Sequence, residues 1–191
     1  GTEYTIGFDT AINTAMEAID RVRDTAASHD RIFFVEVMGR HSGYISIITA
    51  IAGGAEEVLV PERPSDIPRL VETLRTGQRA GKNSMIVIVA EGDDAGDAAS
   101  IAKQVADSSE FKNTRVTTIG HLQRGGSPTA FDRVLASRMG VHAVSALLAG
   151  ESGKMVGICN QDMVLCPLSD AWENRTKFKP ELLDVLHVLS T

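Results

Sequence analysis

Two short runs constrain this chain more than anything else in it: Ile32-Phe33-Phe34-Val35, with Val37 two places on, and Met85-Ile86-Val87-Ile88-Val89-Ala90. A strand with one wet face alternates apolar and polar residues. A strand apolar throughout has both faces covered, as parallel strands do when helices lie above and below them. The segments between the runs supply those helices. In Ala11 to Ala27, residues Ile12, Ala15, Met16, Ile19 and Val22 recur at three- and four-residue steps. Ser42 to Ala52 reads as a buried helix closed by Gly53-Gly54. Asp66 to Arg79 carries Ile67, Leu70, Val71 and Leu74 on one stripe, with Ser65 or Asp66 as cap. Asp97 to Ser108 and Ala130 to Ala149 follow, and Pro180 opens a last helix burying Leu182, Leu183, Leu186 and Leu189. Further strands are predicted at Glu57 to Val60, Arg115 to Ile119, Met155 to Ile158 and Val164-Leu165. The alternation predicts an α/β fold with a mostly parallel sheet covered on both faces.

The 191 residues carry a net charge of −6, which argues against nucleic acid or an anionic membrane as partner. The longest apolar run is too short to span a bilayer, and no charged-then-apolar leader opens the sequence. A cytoplasmic setting follows as an expectation. Cys159 and Cys166 have no metal-like spacing and read as reduced thiols, buried or nearly so. No cluster of His, Cys or carboxylates has metal-ligand spacing, and His29, His142 and His187 show no partner pattern. Gly1 to Gly7 is no convincing first strand and reads as a loop.

In parallel α/β sheets, ligands sit beyond the carboxyl ends of the strands. Three such loops stand out: Met38-Gly39-Arg40-His41-Ser42-Gly43, Glu91-Gly92-Asp93-Asp94, and Gly120-His121-Leu122-Gln123-Arg124-Gly125-Gly126-Ser127-Pro128. The third is the most specific for a phosphorylated small molecule. Gly125 and Gly126 allow positive φ, Ser127-Pro128 leads to a helix N-terminus with free amides, and Arg124 and His121 add donors. Arg40 fits a phosphate as a two-bond donor or is a solvated turn residue. Glu91 fits an acceptor of sugar hydroxyls, a base, or a solvated strand-end acid. Short strands alternating with helices place the three loops on one rim.

Together, Arg31 through Gly43, Glu91 and Gly120 to Pro128 resemble the 6-phosphofructokinase family, bacterial type. Tyr4-Thr5-Ile6-Gly7-Phe8, Ala50-Ile51-Ala52-Gly53-Gly54 and Asp132-Arg133-Val134-Leu135-Ala136-Ser137-Arg138-Met139-Gly140 are similar to it too. The resemblance implies a three-layer parallel-sheet fold of Rossmann-like lobes, incomplete here. It implies the glycolytic transfer of the ATP γ-phosphoryl group to the 1-hydroxyl of fructose 6-phosphate. Met38, Gly39, Glu91, His121 and Arg124 would contact the sugar phosphate, and Arg40 the transferred phosphoryl group. Arg31 and Arg115 would reach a neighbouring subunit's site, implying an oligomer, usually a tetramer. By local pattern alone both are solvated strand-end charges. Arg23, Glu56 and Lys82 match an allosteric effector site between subunits, with ordinary surface charge as the plain alternative. Ala80 and Asn83 stand where basic residues are common there.

The resemblance also implies what lies outside these residues: the glycine-rich nucleotide loop, the acid that holds Mg2+, and the aspartate that deprotonates the sugar hydroxyl. The expectation is a fragment inactive as a kinase on its own, with ATP and ADP as partners of the longer protein. It divides into residues 8–119 plus 171–191 as a sugar-phosphate lobe and 120–170 as a remnant of the nucleotide lobe. The remnant is expected to expose apolar surface. A pyrophosphate-dependent enzyme and a non-catalytic sugar-phosphate-binding or regulatory module remain as alternatives.

Overall fold

The computed structural model describes residues 2–26, 31–82, 84–173 and 178–190; Gly1, Ala27, His29 and Asn83 lie outside them. The elements run α1 (Phe8–Ala26), β1 (Arg31–Val37), α2 (Tyr44–Gly53), β2 (Glu57–Leu59), α3 (Ile67–Arg79), β3 (Ser84–Ala90) and α4 (Ala98–Ser108). There follow β4 (Thr114–Thr118), a 3-10 turn (Gly120–Arg124), α5 (Ala130–Leu148), β5 (Lys154–Cys159), β6 (Asp162–Pro167), α6 (Asp170–Glu173) and α7 (Glu181–Ser190). They divide into two compact units, Ala11–Gly125 with Phe178–Thr191, and Gly1–Thr10 with Gly126–Lys177.

The first of these is built on a four-stranded parallel sheet in the order β2-β3-β1-β4. β1 and β3 are central, which is why they are apolar over most of their length. Successive side chains leave a strand on opposite faces. Phe33, Val35, Val37, Ile86 and Ile88 therefore pack on Ala15 and Ile19 of α1, Ile47 and Ala50 of α2, and Leu183 and Leu186 of α7. Ile32, Phe34, Met85, Val87 and Val89 pack on Leu70, Val71 and Leu74 of α3 and Ile101 and Val105 of α4. Local chemistry sets the helix ends. The Asp66 carboxylate caps α3 by accepting from Arg69 N at 3.0 Å, and Asp97 caps α4 through Ser100 N at 2.8 Å. Gly54 closes α2 in the left-handed region at φ 59°.

The structure departs from the sequence expectations in several places. β4 is an edge strand that exposes Arg115, Val116 and Thr118, so cover on both faces fails there. Leu189 of α7 is exposed, because the buried stripe of that helix is Leu183 and Leu186. His187 has a partner after all: Arg69 lies 2.8 Å from its Nε2.

The second unit breaks the helix–strand alternation. β5 and β6 form an antiparallel hairpin, closed by Asn160 and Gln161 at φ 49° and 71°. Two consecutive positive φ values are the mark of the primed hairpin turn, whose twist suits the strands it joins. Cys159 sits at the exposed end of this hairpin, not buried as expected; Cys166 is half-buried, and neither is joined in a disulfide. The buried Asp132 ties α5 to the first turn of α1, accepting from Gly7 N at 3.0 Å and Thr10 N at 2.9 Å as well as from the Thr10 hydroxyl. Burial pushes its carboxyl up, but the bonds from Thr10 and Gly7 outweigh that and hold it below its ordinary value. Much of the apolar surface of α5 is open to solvent. Phe131, Val134, Val141, Val144, Leu147 and Leu148 are all exposed, Leu148 to 86%. A helix of this character is ordinarily covered by other structure.

Candidate functional site

The loops after β1, β3 and β4 meet at one rim because the three strands are parallel neighbours. From β1 the chain passes to α2 on one face of the sheet; from β3 it passes to α4 on the other. Diverging connections of this kind open a crevice at the carboxyl ends of the two strands, the usual ligand position in such sheets.

Side chains stitch the rim together. Glu91, just past β3, accepts through Oε1 from Gly39 N at 3.2 Å and Arg40 N at 2.7 Å. Gln123, in the turn after β4, accepts through Oε1 from Met38 N at 2.8 Å. Glu62, after β2, takes the Gly43 amide at 2.9 and 3.0 Å. Ser65 donates its hydroxyl to Asp93 at 2.8 Å and its amide to Asp94 at 3.0 Å. All four carboxylates of the rim therefore hold backbone or hydroxyl donors. Burial, aided by the neighbouring Asp94 charge, keeps the Asp93 carboxyl above its ordinary value against the pull of the Ala95 amide and Ser65.

Arg40 is the unusual residue. It occupies the left-handed region at φ 50°, where few non-glycine residues sit and where strain gathers at functional sites. The Glu91 bonds hold it there from one side. Gly92 closes the other, for a Cβ at that position would stand 1.8 Å from the Arg40 carbonyl oxygen. The Arg40 side chain is exposed, as are His121 and Arg124. The rim thus displays two guanidinium groups and an imidazole over a backbone pinned from both sides, a constellation suited to a phosphorylated anion.

Two local expectations need correcting. Gly125 is extended (φ −99°, ψ −169°), and the positive φ values belong to Gly120 and Gly126. The amides at the start of α5 are not all free either: the Thr129 side chain caps the helix by accepting from Asp132 N at 3.2 Å. Nothing in the sequence assigned Glu62, Ser65, Asp93 or Gln123 to holding the rim together. Their only signal was polarity directly after a strand, which any solvated loop shares.

Arg31 and Arg115 begin β1 and β4, at the opposite end of the sheet from the rim. Among the described residues, Arg115 donates to its neighbour's carbonyl, Thr114 O, at 2.9 Å, and Arg31 Nε is buried without a hydrogen-bond partner. Arg23, Glu56 and Lys82 come together. Lys82 Nζ lies 3.7 Å from Glu56 Oε1, and Arg23 donates to Gly53 O and to Gly54 O, the turn just before Glu56. Glu56 is only 7% exposed, so ordinary surface charge does not describe it. Its Oε2 accepts from Ile86 N at 2.6 Å.

Burial pushes the Glu56 carboxyl above its ordinary 4.5, with the Ile86 amide, Lys82 and Arg23 pulling the other way. A carboxyl raised in the folded state holds its proton better there than in the unfolded chain. Its contribution to stability is fullest below 4.5 and is lost as the pH rises toward neutrality. Glu57, also raised chiefly by burial, adds in the same sense. Urea midpoints should fall over that range, and less steeply in Glu56→Gln. The same slope in both proteins would refute this account of Glu56.

Among the described residues no group of three His, Cys, Asp or Glu side chains is placed to hold a metal ion. The described residues alone make no site for Mg2+. None of the described helices is long and apolar enough to cross a membrane.

Fold and rim together define an α/β protein with a basic rim at the carboxyl ends of its parallel strands. A family model described as phosphofructokinase matches residues 1–147, and the chain belongs to that family. It is similar to the ATP-dependent 6-phosphofructokinase 1 of Thermus thermophilus, with 54% identity over 190 residues, covering 100% of this chain and 59% of that protein. It is 47% identical to the ATP-dependent 6-phosphofructokinase 2 of Bacteroides thetaiotaomicron, covering 100% of this chain and 58% of the other. The chain thus spans a little under three-fifths of the length of these curated relatives. Among solved structures, Pichia pastoris phosphofructokinase in the T-state superposes with a TM-score of 0.80 at 37% identity, covering 90% of this chain and 20% of that one. A pyrophosphate-dependent phosphofructokinase from Marinobacter aquaeolei shares the fold, with a TM-score of 0.69 at 22% identity, over 97% of this chain and 54% of the other.

Proposed function

We propose that the rim binds fructose 6-phosphate and that the protein to which these residues belong transfers the ATP γ-phosphoryl group to its 1-hydroxyl. The observation that carries the reading is the left-handed Arg40, fixed by Glu91 and Gly92 on the same rim as His121 and Arg124. Family membership and relatives named for ATP as donor support the chemistry. In this reading Arg124 and His121 grip the sugar phosphate, together with the Met38-Gly39 segment, and Arg40 offsets charge on the transferred group.

Glu91 acts here first as the clamp of Gly39 and Arg40, with its second oxygen left for the ligand. Arg31 and Arg115, at the far end of the sheet, serve a site in another subunit of a homo-oligomer. The Arg23, Glu56 and Lys82 cluster takes an effector. Residues 8–119 plus 171–191 are read as the sugar-phosphate lobe and 120–170 as the remnant of the nucleotide lobe, whereas the compact units divide after Thr10, Gly125 and Lys177; the setting is read as cytoplasmic. On this reading the 191 residues bind the sugar phosphate and do not turn it over by themselves.

Calorimetric titration with fructose 6-phosphate tests the assignment. Loss of a charge-assisted bond costs about 1.5–3 kcal/mol, so Arg124→Ala and His121→Ala should each weaken binding by roughly ten- to a hundredfold. Unchanged affinity in both variants would overturn it.

A further inference from the structure

Gln123 is the buried member of the turn after β4. It is 4% exposed, while His121, Leu122 and Arg124 around it face solvent. A buried carboxamide needs partners, and this one has two: Oε1 accepts from Met38 N at 2.8 Å, and Nε2 donates to Ala11 O at 3.4 Å.

The sheet explains why Met38 needs that acceptor. Pairing of β1 with β4 ends at Glu36 opposite Thr118, and Ile119 N still donates to Glu36 O at 3.0 Å. Had β4 run on, the Ile119 carbonyl would be the next acceptor in the parallel ladder, and Met38 N its donor. The chain instead turns at Ile119 (φ −73°, ψ −45°), and that carbonyl accepts from Leu122 N at 3.3 Å. The Gln123 side chain takes over the bond the ladder has lost.

From the other flank, Glu91 takes the next two amides, Gly39 N and Arg40 N. Three consecutive backbone donors are thus held by side chains from the loops of the two neighbouring strands. None of these three amides is left to cradle a phosphate.

We infer that Gln123 is a positioning residue: it locks the backbone of Met38-Gly39-Arg40 to the turn that carries His121 and Arg124, so that both parts of the rim form as one. The ligand in this inference is the sugar phosphate proposed above, and to that extent it rests on that reading. Gln123 does not itself touch the ligand; it sets the geometry of residues that do.

Gln123→Met keeps the length of the side chain and removes the acceptor. Gln123→Glu keeps an oxygen there. Amide hydrogen exchange of Met38, followed by NMR in the unliganded 191-residue chain, reads the bond directly. Exchange at Met38 is expected to quicken about tenfold in Gln123→Met and to stay near wild type in Gln123→Glu, with buried β3 amides unchanged in both. Fructose 6-phosphate should bind Gln123→Met about tenfold more weakly. Met38 exchange that does not respond, or responds equally in both variants, overturns the inference. So does faster exchange with undiminished affinity. A wild-type chain that binds no fructose 6-phosphate would sink the proposed function instead, and the exchange arm, which needs no ligand, would still decide whether Gln123 holds Met38.

Discussion

Alanine at Gly92 is expected to abolish tight binding of fructose 6-phosphate while leaving the fold intact. The added Cβ would stand 1.8 Å from the Arg40 carbonyl oxygen, about half an ordinary contact distance. Neither atom yields easily. Gly92 follows the last residues of β3, and Arg40 is held by the Glu91 carboxylate and by its own left-handed turn. The cheapest relief is for the Arg40 segment to move outward by an ångström or more, which breaks the Glu91 bonds and shifts the guanidinium off the rim. Displacements of that size at a positioning residue cost about a hundredfold. Circular dichroism should report unchanged secondary structure, and titration should report the loss. Gly140 is the control: a Cβ on it meets nothing within 4 Å, so Gly140→Ala should bind normally. Wild-type affinity in Gly92→Ala would mean that the backbone clamp around Arg40 does not govern the site.

The largest loss of stability is expected from Phe34→Ala. Phe34 is fully buried on the α3–α4 face of the central strand, against neighbours that include Val87 and Leu74. Removing an aromatic ring from such a place forfeits its transfer free energy and leaves a cavity, about 3–5 kcal/mol in all. A domain stable by roughly 5–15 kcal/mol keeps only part of its margin after that. Urea unfolding should show a lower midpoint at unchanged slope. Val116→Ala, on the exposed edge strand β4, should shift stability by no more than about 0.5 kcal/mol. Comparable losses in the two variants would show that the core lies elsewhere than between these layers.

Part of this protein is legible residue by residue. The apolar runs of β1 and β3 announce central parallel strands, and the stripes of α1 and α3 announce which faces cover them. Both are statements of local periodicity, and periodicity survives translation into three dimensions because a helix or strand carries it along its own axis. The caps at Asp66 and Asp97 and the left-handed Gly54 belong to the same class, since their partners lie within a few residues. The loops at Met38, Glu91 and Gly120 could be found as loops after strands for the same reason.

What those loops do to one another could not be read that way. Gln123 reaches Met38 across 85 positions, and Glu91 reaches Arg40 across 51. Such bonds exist only because the sheet order makes β3 and β4 the two neighbours of β1. Arginine has no preference for the left-handed region, so nothing local foretold the backbone of Arg40; two side-chain bonds and a missing Cβ impose it. The burial of Glu56 and the hairpin turn at Asn160-Gln161 follow the same logic. The sequence by itself determined the elements, their faces and the chemistry on display at the rim. Only the tertiary structure decided which side chains hold that chemistry in place, because a hydrogen bond between loops depends on which strands are neighbours, and no local pattern records that.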